Sequence, residues 1–307
     1  MKLRLISGTS NIPLAQDIST HLGVPLAHRT IERFKDGEIY VRITDNIRGD
    51  DVFVIQSVCT SVNDSLMELL ILIDALKRAS AARITAVITY YGYARQDRKA
   101  EAREPITSKL VADMLTVAGA SRILTVDLHA PQIQGFFNIP VDEVSGVPLL
   151  SDYFKEKNIT DGVVVSPDTG GVKRARAMAK RLNMPIAIID KRRTVHNDAE
   201  IMNIVGDVAG KTAILIDDII DTGNSIVKSA NKIAETAKEV YICATHSVCS
   251  DGCDVRLQNS RAKEIVITNT VPYCGTMSKM KIINMGKFLS DVINNIHNNQ
   301  SVSTLFN

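Results

Sequence analysis

Short apolar runs alternate with longer amphipathic stretches along the chain, and this pattern predicts the secondary structure. Strands are expected at the continuous apolar runs Lys2–Ser7, Asp51–Gln56, Arg83–Tyr90, Arg122–Asp127, Gly162–Ser166, Ile186–Ile189, Thr212–Ile216, Glu239–Thr245 and Glu264–Thr268. Helices are expected between them, for example at Val62–Ala79, Ile106–Ala118, Gly171–Leu182 and Ser225–Ala237. Because alternating strands and helices are typical of parallel sheets with helices on both faces, we predict an α/β fold.

The alternation occurs twice, on either side of a stretch of prolines and glycines at residues 139–148. A chain of 307 residues is long for one domain and sufficient for two. We therefore predict two similar domains, 1–145 and 146–307, each with a mostly parallel sheet flanked by helices. The last residues of the chain are expected to pack on the first domain.

Composition narrows the classes of partner. The formal net charge is +2 and the chain has no tryptophan, so nothing indicates a general attraction to nucleic acid. The apolar runs are too short to span a bilayer, and we expect neither a membrane span nor a signal sequence. The five cysteines are odd in number and lack a Cys-x-x-Cys pair, which favours reduced thiols in the cytoplasm.

The segment 213–226 carries the strongest chemical signal. Four apolar residues predict a buried strand, and the adjacent carboxylates of Asp217 and Asp218 are expected to end it. The polar turn Asp221–Ser225 follows, with Ser225 as the expected cap of the next helix. Backbone N–H groups at a helix N-terminus bind phosphate, and carboxylates bind sugar hydroxyls or hydrated Mg²⁺. The same residues also fit an ordinary strand-to-helix turn with acidic capping residues.

A second turn that can bind an anion is predicted at Ser166–Arg174. It follows the strand Gly162–Ser166, and its glycines Gly170 and Gly171 free the backbone to approach a ligand before a helix begins. Asp168 lies beside them. Two glycines after a strand are usually just a tight turn, but a second such turn in the same half, next to basic residues, favours diphosphate binding.

The segment Lys191–Asp198 follows the predicted strand Ile186–Ile189 and begins with three consecutive cations. The segment has no apolar periodicity, which predicts an exposed loop, and a solvated run of charge is its usual meaning. It leaves the same edge of the predicted sheet as the two anion-binding turns, however. A mobile loop that carries Lys191 and Arg193 can close on a transferring phosphoryl group and stabilise its charge.

Three further segments carry polar or aromatic residues in the first half of the chain. His129 follows a strand and is more typical of a structural histidine, although Asp127 nearby leaves a metal or phosphate site as an alternative. Aromatic and basic residues alternate over Tyr90–Lys99, which fits either a nucleotide clamp or a plain surface loop. Phe34–Glu38 is a glycine-centred turn between two strands, and its residues alone do not reveal its chemistry.

Taken together, these segments resemble ribose-phosphate pyrophosphokinase of the class I type over nearly the whole chain. The Asp217–Ser225 segment is similar to the phosphoribosyl-pyrophosphate (PRPP) binding motif, which usually has Gly at the position of Asn224. Asn can reach left-handed backbone angles, so the turn is expected to survive with Asn224 in that conformation. The other similar segments are Phe34–Glu38, Tyr91–Asp97, Asp127–Ala130, Gln132–Phe137, and Ser166–Asp168 with Gly170–Gly171.

The resemblance implies roles for particular residues. The implied ATP-binding residues are Phe34, Asp36, Glu38, Arg95, Gln96 and His129. The first three are implied to hold the adenine ring and to come from a neighbouring subunit. The implied Mg²⁺ ligands are His129 and Asp168. The implied diphosphate-binding residues are Asp168, Thr169, Gly170 and Gly171. The implied ribose 5-phosphate-binding residues are Asp217, Asp218, Asp221, Thr222, Gly223, Asn224 and Ser225, the first two also near a second Mg²⁺. Lys191 and Arg193 are implied to stabilise the transition state.

The resemblance also implies an activity and an assembly. Members of the family have two type I phosphoribosyltransferase-like domains and transfer the diphosphate of ATP to the C1 hydroxyl of ribose 5-phosphate. The products are AMP and PRPP, which feeds nucleotide, histidine and tryptophan biosynthesis. The expected assembly is a homohexamer built from dimers, with inorganic phosphate and ADP as effectors.

Two other functions share parts of this pattern. A phosphoribosyltransferase has the Asp217–Ser225 motif but needs one α/β domain and no ATP site. A non-catalytic relative that regulates a synthetase tends to lose the loop and metal residues. The doubled architecture disfavours the first alternative, and the presence of Lys191, Arg193, His129 and the aspartate pair disfavours the second.

Overall fold

The computed structural model describes residues 1–193 and 200–305, and it gives the backbone alone for residues 191–193 and 200–202. Contacts divide the chain into two units. The first unit consists of Met1–Ser145, Thr270–Pro272 and Asn284–Asn307, and the second of Gly146–Asn269 and Tyr273–Ile283. Within the described ranges, no helix has both the length and the apolar character needed to cross a membrane.

The first unit is built on a parallel sheet of five strands with helices packed against it. In spatial order its strands are β1 (Leu3–Ser7), β4 (Asp51–Gln56), β5 (Arg83–Ile88), β6 (Arg122–Val126) and β7 (Val141–Val144). A separate antiparallel hairpin contains β2 (Arg29–Arg33) and β3 (Ile39–Ile43). The helices are α1 (Ile12–Leu22), α2 (Val62–Arg78), α3 (Thr107–Ala118) and α8 (Gly286–His297), with a short 3₁₀ helix at Pro131–Phe136.

The second unit is built on a sheet of seven strands. In spatial order they are β10 (Glu200–Val205), β9 (Ile186–Arg193), β8 (Gly162–Ser166), β11 (Thr212–Ile220), β12 (Glu239–Ser247), β13 (Glu264–Thr268) and β14 (Met280–Ile283). β10 pairs antiparallel with β9, and the other neighbours are parallel. The helices are α4 (Val147–Glu156), α5 (Val172–Leu182), α6 (Asn224–Ile233) and α7 (Cys253–Gln258).

Strand β11 shows why the predicted strands are continuous apolar runs. Ala213 and Leu215 pack in the cluster that contains α6 and α7, whereas Ile214 and Ile216 pack in the cluster that contains α4 and α5. Successive side chains of a strand point to opposite faces, so a strand covered by helices on both sides has no polar face. The predicted α/β fold with helices on both faces is therefore confirmed.

Three strands extend further than the sequence pattern predicts, and one of them is β12, which was expected to end at Thr245 but continues to Ser247. β11 was expected to end at Ile216, but it continues to Ile220 because β12 pairs with Ile219 and Ile220 through His246 and Ser247. The expectation that the aspartates lie beyond the strand is therefore wrong: Asp217 and Asp218 are part of it.

The cationic segment begins within a strand rather than in a loop. β9 was expected to end at Ile189, but its backbone continues to Arg193 because β10 pairs with it, Arg193 opposite Glu200. The prediction of an exposed loop from Lys191 onward is therefore wrong for residues 191–193. The remainder of that predicted loop, residues 194–198, lies outside the described residues.

Candidate functional site

Asp217 and Asp218 are adjacent carboxylates in β11. Asp218 is almost fully buried and Asp217 is partly buried. The guanidinium of Arg174 approaches both, with Nη1 3.6 Å from Asp217 Oδ1 and 3.4 Å from Asp218 Oδ1. Burial and the neighbouring negative charge of Asp218 raise the pKa of Asp217 well above its usual value, and Arg174 opposes that rise in part. The pair therefore retains an affinity for a cation or for hydroxyl donors.

Arg174 was not assigned a role in the sequence analysis. It lies in the first turn of α5, and the order of the strands brings it to Asp217 and Asp218, because β8, which precedes α5, pairs directly with β11. Strand order is not visible in a hydropathy pattern. A buried carboxylate pair does call for a counter-charge, and that general argument is the signal that could have prompted a search for a basic partner.

The Asp221–Ser225 loop leads from the end of β11 into the first turn of α6. Its left-handed residue is Gly223, with φ of 79°, and this glycine is the N-cap of α6. Asn224 is the first helical residue and does not have a positive φ. The expectations that Asn224 is left-handed and that Ser225 caps the helix are therefore wrong. The turn needs one left-handed residue, and the glycine one position earlier already supplies it.

Residues from the segment after β12 hold this loop in place. The hydroxyl of Ser250 donates to the carboxylate of Asp221. Arg256 Nε donates to the carbonyl oxygen of Thr222 at 2.7 Å. A Cβ atom on Gly223 would lie 3.0 Å from Cys253 Sγ, so the thiol packs against this glycine. Beyond it, the two residues at the start of α6 are exposed.

The turn between β8 and α5 is held by its own side chains. Asp168 Oδ1 accepts a hydrogen bond from the N–H of Gly171 at 2.9 Å, and Ser166 Oγ donates to the carbonyl oxygen of Asp168 at 2.7 Å. A Cβ on Gly171 would lie 2.9 Å from Ser166 Oγ, so a side chain there would displace the hydroxyl that bonds to Asp168. Asp168, Thr169 and Gly170 are exposed. One Asp168 oxygen is thus engaged in shaping the turn.

In the first unit, the structure brings Arg95 and Gln96 near the segment that follows His129. Gln132 of the 3₁₀ helix donates from Nε2 to Asp97 Oδ2 at 2.6 Å, which joins the two segments. Arg95, Gln96 and His129 are all exposed. These three side chains therefore lie on one connected surface of loops at the carboxyl ends of β5 and β6.

The residues before His129 are fixed by the neighbouring strand β7 and the residue that follows it. Asp127 has a positive φ of 33°, and its Oδ1 accepts a hydrogen bond from Ser145 Oγ at 2.8 Å. The N–H of Leu128 donates to Glu143 Oε1 at 2.8 Å. Glu143 and Ser145 were missed in the sequence analysis, and their role is to hold a strained loop rather than to contact a ligand.

Phe34, Asp36 and Glu38 lie on the turn between β2 and β3, as predicted. Gly37 donates from its N–H to the carbonyl oxygen of Phe34 at 2.9 Å, and Asp36 Oδ1 accepts from the N–H of Glu38 at 3.1 Å. The ring of Phe34 is 54% exposed and packs edge-on against Tyr40. The chain by itself therefore leaves this aromatic ring largely uncovered.

Lys191 and Arg193 lie in the last part of β9. The structure describes their backbone alone, so the predicted role of their side chains lies outside the described residues.

The donor atoms in the second unit fit Mg²⁺. Within the described residues, no three His, Cys, Asp or Glu side chains converge as a metal-binding group. Mg²⁺ usually keeps several waters and binds through one or two carboxylates, so it does not require such a group. The oxygens of Asp217 and Asp218, whose negative charge Arg174 balances in part, provide that kind of site.

Comparisons with known proteins agree along the whole chain. Residues 3–119 match the model of the N-terminal domain of ribose phosphate pyrophosphokinase, and residues 193–307 match that of the phosphoribosyl synthetase-associated domain. The chain is 56% identical to ribose-phosphate pyrophosphokinase of Bacillus caldolyticus over 99% of this chain and 98% of that protein. It is 54% identical to the Bacillus subtilis (strain 168) protein, over 99% and 97%.

A solved structure agrees with the described fold. The crystal structure of phosphoribosylpyrophosphate synthetase from Mycobacterium smegmatis is similar with a TM-score of 0.93 at 44% identity, over 97% of this chain and 100% of that chain. Similarity of this degree extends over both units rather than over the Asp217–Ser225 motif alone.

Proposed function

The chain belongs to the ribose-phosphate pyrophosphokinase family, whose members make PRPP from ATP and ribose 5-phosphate, and from this premise we propose which of its residues carry out the transfer. The reaction moves the diphosphate of ATP to the C1 hydroxyl of the sugar, with AMP as the leaving group. Such a transfer depends on alignment and on charge neutralisation more than on covalent help from the protein. The roles below concern this chain's own residues, and we further propose that the enzyme is of class I.

Ribose 5-phosphate is held by the second unit. Asp217 and Asp218 accept hydrogen bonds from the ribose hydroxyls, in addition to the contacts that both carboxylates make with Arg174. Asp221, Thr222, Gly223, Asn224 and Ser225 hold the 5-phosphate at the start of α6, where helix N–H groups favour an anion. The observation that carries this proposal is the geometry of β11, in which a buried carboxylate pair leads directly into a glycine-capped helix.

ATP is held by loops of the first unit. Arg95 and Gln96, joined through Asp97 to the segment after His129, contact the phosphates. Phe34, Asp36 and Glu38 hold adenine of a neighbouring subunit, which accounts for an aromatic ring left 54% exposed on the isolated chain. The enzyme is therefore proposed to be a homo-oligomer, a hexamer built from dimers.

The diphosphate is assigned to the turn after β8. Thr169, Gly170 and Gly171 of this exposed turn are proposed to contact the diphosphate. Asp168 of the second unit, through the oxygen that does not accept from Gly171, and His129 of the first unit would each provide a ligand for Mg²⁺. A second Mg²⁺ is assigned to the Asp217–Asp218 pair. Bound Mg²⁺ supplies positive charge to the phosphate oxygens.

Lys191 and Arg193 are proposed to stabilise the charge that develops on the transferred diphosphate. The two residues are separated by one position near the end of β9. The neighbouring strand β8 leads into the diphosphate-binding turn. Asp217 and Asp218 orient the sugar so that its C1 oxygen is in line with the β-phosphorus. No general base is assigned.

We also propose a cytoplasmic location and two effectors for this enzyme. All five cysteines are free thiols, which supports the cytoplasm as the location. Inorganic phosphate and ADP are proposed as effectors because of the family resemblance.

An assay of AMP formation tests the proposed function against its alternatives. The protein is incubated with ATP, Mg²⁺ and ribose 5-phosphate, and AMP and PRPP are expected to appear in equal amounts. Omission of ribose 5-phosphate is the matched control and should abolish AMP formation. Consumption of PRPP with a purine or pyrimidine base, without AMP formation from ATP, would instead indicate a phosphoribosyltransferase.

A further inference from the structure

Two cysteines of the segment after β12 lie beside the Asp221–Ser225 loop or the residue that precedes it. The N–H of Cys249 donates to the carbonyl oxygen of Ile220 at 3.1 Å, so Cys249 lies beside the residue that precedes the loop. Cys253 is the first residue of α7, and its Sγ lies 3.0 Å from the position of a Cβ on Gly223. Neither thiol has a role in the transfer reaction described above.

The two thiols differ in exposure and in acidity. Cys253 is buried, whereas Cys249 is partly exposed and its Sγ lies 2.8 Å from Ser247 Oγ. A hydrogen bond with the Cys253 thiol lowers the pKa of Cys249, and the same interaction raises the pKa of Cys253. Cys249 is therefore the more easily ionised thiol, and the thiolate is the form that reacts with oxidants.

We propose that Cys249 and Cys253 form an oxidation site, at which a hydroperoxide converts the two thiols into a disulfide that weakens the binding of ribose 5-phosphate. The geometry that carries this inference is the turn between the two cysteines, closed by a hydrogen bond from the Cys253 N–H to the carbonyl oxygen of Ser250 at 3.1 Å. This turn places a partly exposed Cys249 and a Cys253 buried against Gly223 in one cluster. The expected effect on the sugar rests on the proposed function of the Asp221–Ser225 loop.

The chemistry balances with a hydroperoxide as the two-electron oxidant. The Cys249 thiolate attacks the terminal peroxide oxygen, the O–O bond breaks, and one molecule of water or alcohol leaves after protonation. The resulting sulfenic acid is attacked by the Cys253 sulfur, so that the S–S bond forms and a second molecule of water leaves. A dithiol reductant reverses the reaction by thiol–disulfide exchange.

The disulfide affects the loop because the loop depends on α7. An S–S bond is much shorter than a contact between two thiols, so its formation draws Cys253 toward Cys249 and changes its packing on Gly223. Arg256 lies one turn further along α7, and its Nε donates to the carbonyl oxygen of Thr222 at 2.7 Å. Movement of α7 therefore removes two supports of the loop at once.

The experiment compares reduced and peroxide-treated full-length protein. Peptide mapping by mass spectrometry is expected to find a Cys249–Cys253 disulfide, and the KM for ribose 5-phosphate is expected to rise by about tenfold, within the usual range of coupling between two sites. The KM for ATP should change little, and dithiothreitol should restore the original value.

Single-cysteine variants separate this site from other oxidation. Cys249→Ser and Cys253→Ser should each leave the sugar KM unchanged by peroxide. Cys274→Ser is the matched control, because Cys274 is an exposed thiol of the same unit, and this variant should respond like the wild type. The inference is overturned if no such disulfide forms, or if the peroxide effect persists in Cys249→Ser.

This failure is distinguishable from a failure of the proposed function. Mapping of the disulfide does not depend on any substrate, and Asp221→Asn in the reduced protein tests the loop directly. If Asp221→Asn leaves the sugar KM unchanged, the proposed function of the loop is wrong. If Asp221→Asn raises that KM but peroxide does not, the oxidation site is wrong.

Discussion

Gly223 is the residue on which the backbone of the Asp221–Ser225 loop depends. Its φ is 79°, and a Cβ there would also approach Cys253 Sγ to 3.0 Å. A residue with a side chain in the left-handed region costs about 1–2 kcal/mol. We expect Gly223→Ala to lower the free energy of unfolding by about that amount and to raise the KM for ribose 5-phosphate. Denaturant unfolding and steady-state kinetics measure the two effects.

Asn224 provides the matched control one residue later. It is helical and exposed, so Asn224→Val is expected to change the free energy of unfolding by no more than about 0.5 kcal/mol, as is usual for surface positions. The sequence pattern predicted the opposite, with the left-handed residue at Asn224. If Asn224→Val proved as harmful as Gly223→Ala, the assignment of the left-handed position to Gly223 would be wrong.

We predict that the Asp217 carboxylate lowers the stability of the folded protein at neutral pH and is retained because it binds the sugar. Its folded pKa is raised, so the folded protein binds this proton more tightly than the unfolded chain does. The contribution to stability is full below the usual aspartate pKa and is lost as pH rises through the folded pKa. Asp217→Asn is therefore expected to raise the melting temperature at neutral pH and to raise the sugar KM by about tenfold or more.

The pH dependence and an exposed carboxylate check this assignment. The stability gain of Asp217→Asn should shrink as the pH is lowered toward the usual aspartate range. Asp207→Asn, at a carboxylate that is 71% exposed in the same unit, should show neither effect. A lower melting temperature for Asp217→Asn at neutral pH would show that the Asp217 carboxylate does not destabilise the folded protein.

The candidate site was predictable from the sequence where the chemistry is local. Asp217, Asp218 and Gly223 are consecutive or nearly so, and their motif identifies them without a structure. Arg174 lies more than forty residues away in sequence and reaches the aspartates through strand order alone. The left-handed position was misassigned by one residue because composition cannot distinguish a glycine cap from the residue that follows it.

At the scale of elements, the apolar pattern predicted the bounds of strands that are buried on both faces. It underestimated the length of strands that pair with a neighbouring strand beyond the apolar run. β4 and β8 have the predicted bounds, since their residues are buried throughout. β9 and β11 extend into polar sequence because β10 and β12 supply backbone hydrogen-bond partners there. Such pairing is a property of the neighbouring strand and leaves no trace in the hydropathy of the strand itself.

The end of β9 carries Lys191 and Arg193, which are proposed to stabilise the transition state. Lys191→Ala is expected to lower kcat by orders of magnitude and to leave the KM for ATP within a few-fold, because the cation is proposed to act mainly in the transition state. Arg192→Ala, at the position between Lys191 and Arg193, is the matched control and should retain most activity. A near-normal kcat for Lys191→Ala would exclude its proposed role.

At the scale of the whole molecule, Asp51 links distant parts of the chain within the first unit. It is fully buried at the start of β4, accepts from Arg83 Nε at 2.7 Å, and lies 2.7 Å from His297 Nδ1 at the end of α8. Asp51→Ala leaves Arg83 without its carboxylate and is expected to lower the free energy of unfolding by about 3 kcal/mol. Denaturant unfolding measures this loss.

An exposed ion pair on α8, the helix that Asp51 contacts through His297, is the control for Asp51. Asp291→Ala removes the partner of Lys287 on the surface of α8 and should cost less than about 0.5 kcal/mol. Equal effects of the two variants would show that Asp51 does not anchor α8. No sequence pattern pairs residues 51 and 297, because their contact depends on the complete fold of the unit.

The measurement that most directly tests the proposed division of the substrates is binding by the double variant Asp217→Ala with Asp218→Ala. Calorimetry with ATP and steady-state kinetics with ribose 5-phosphate separate the two substrates. If the second unit holds the sugar through β11, ATP binding survives and the use of ribose 5-phosphate is severely impaired. Loss of ATP binding with normal binding of ribose 5-phosphate would contradict the assignment and reverse the roles of the two units.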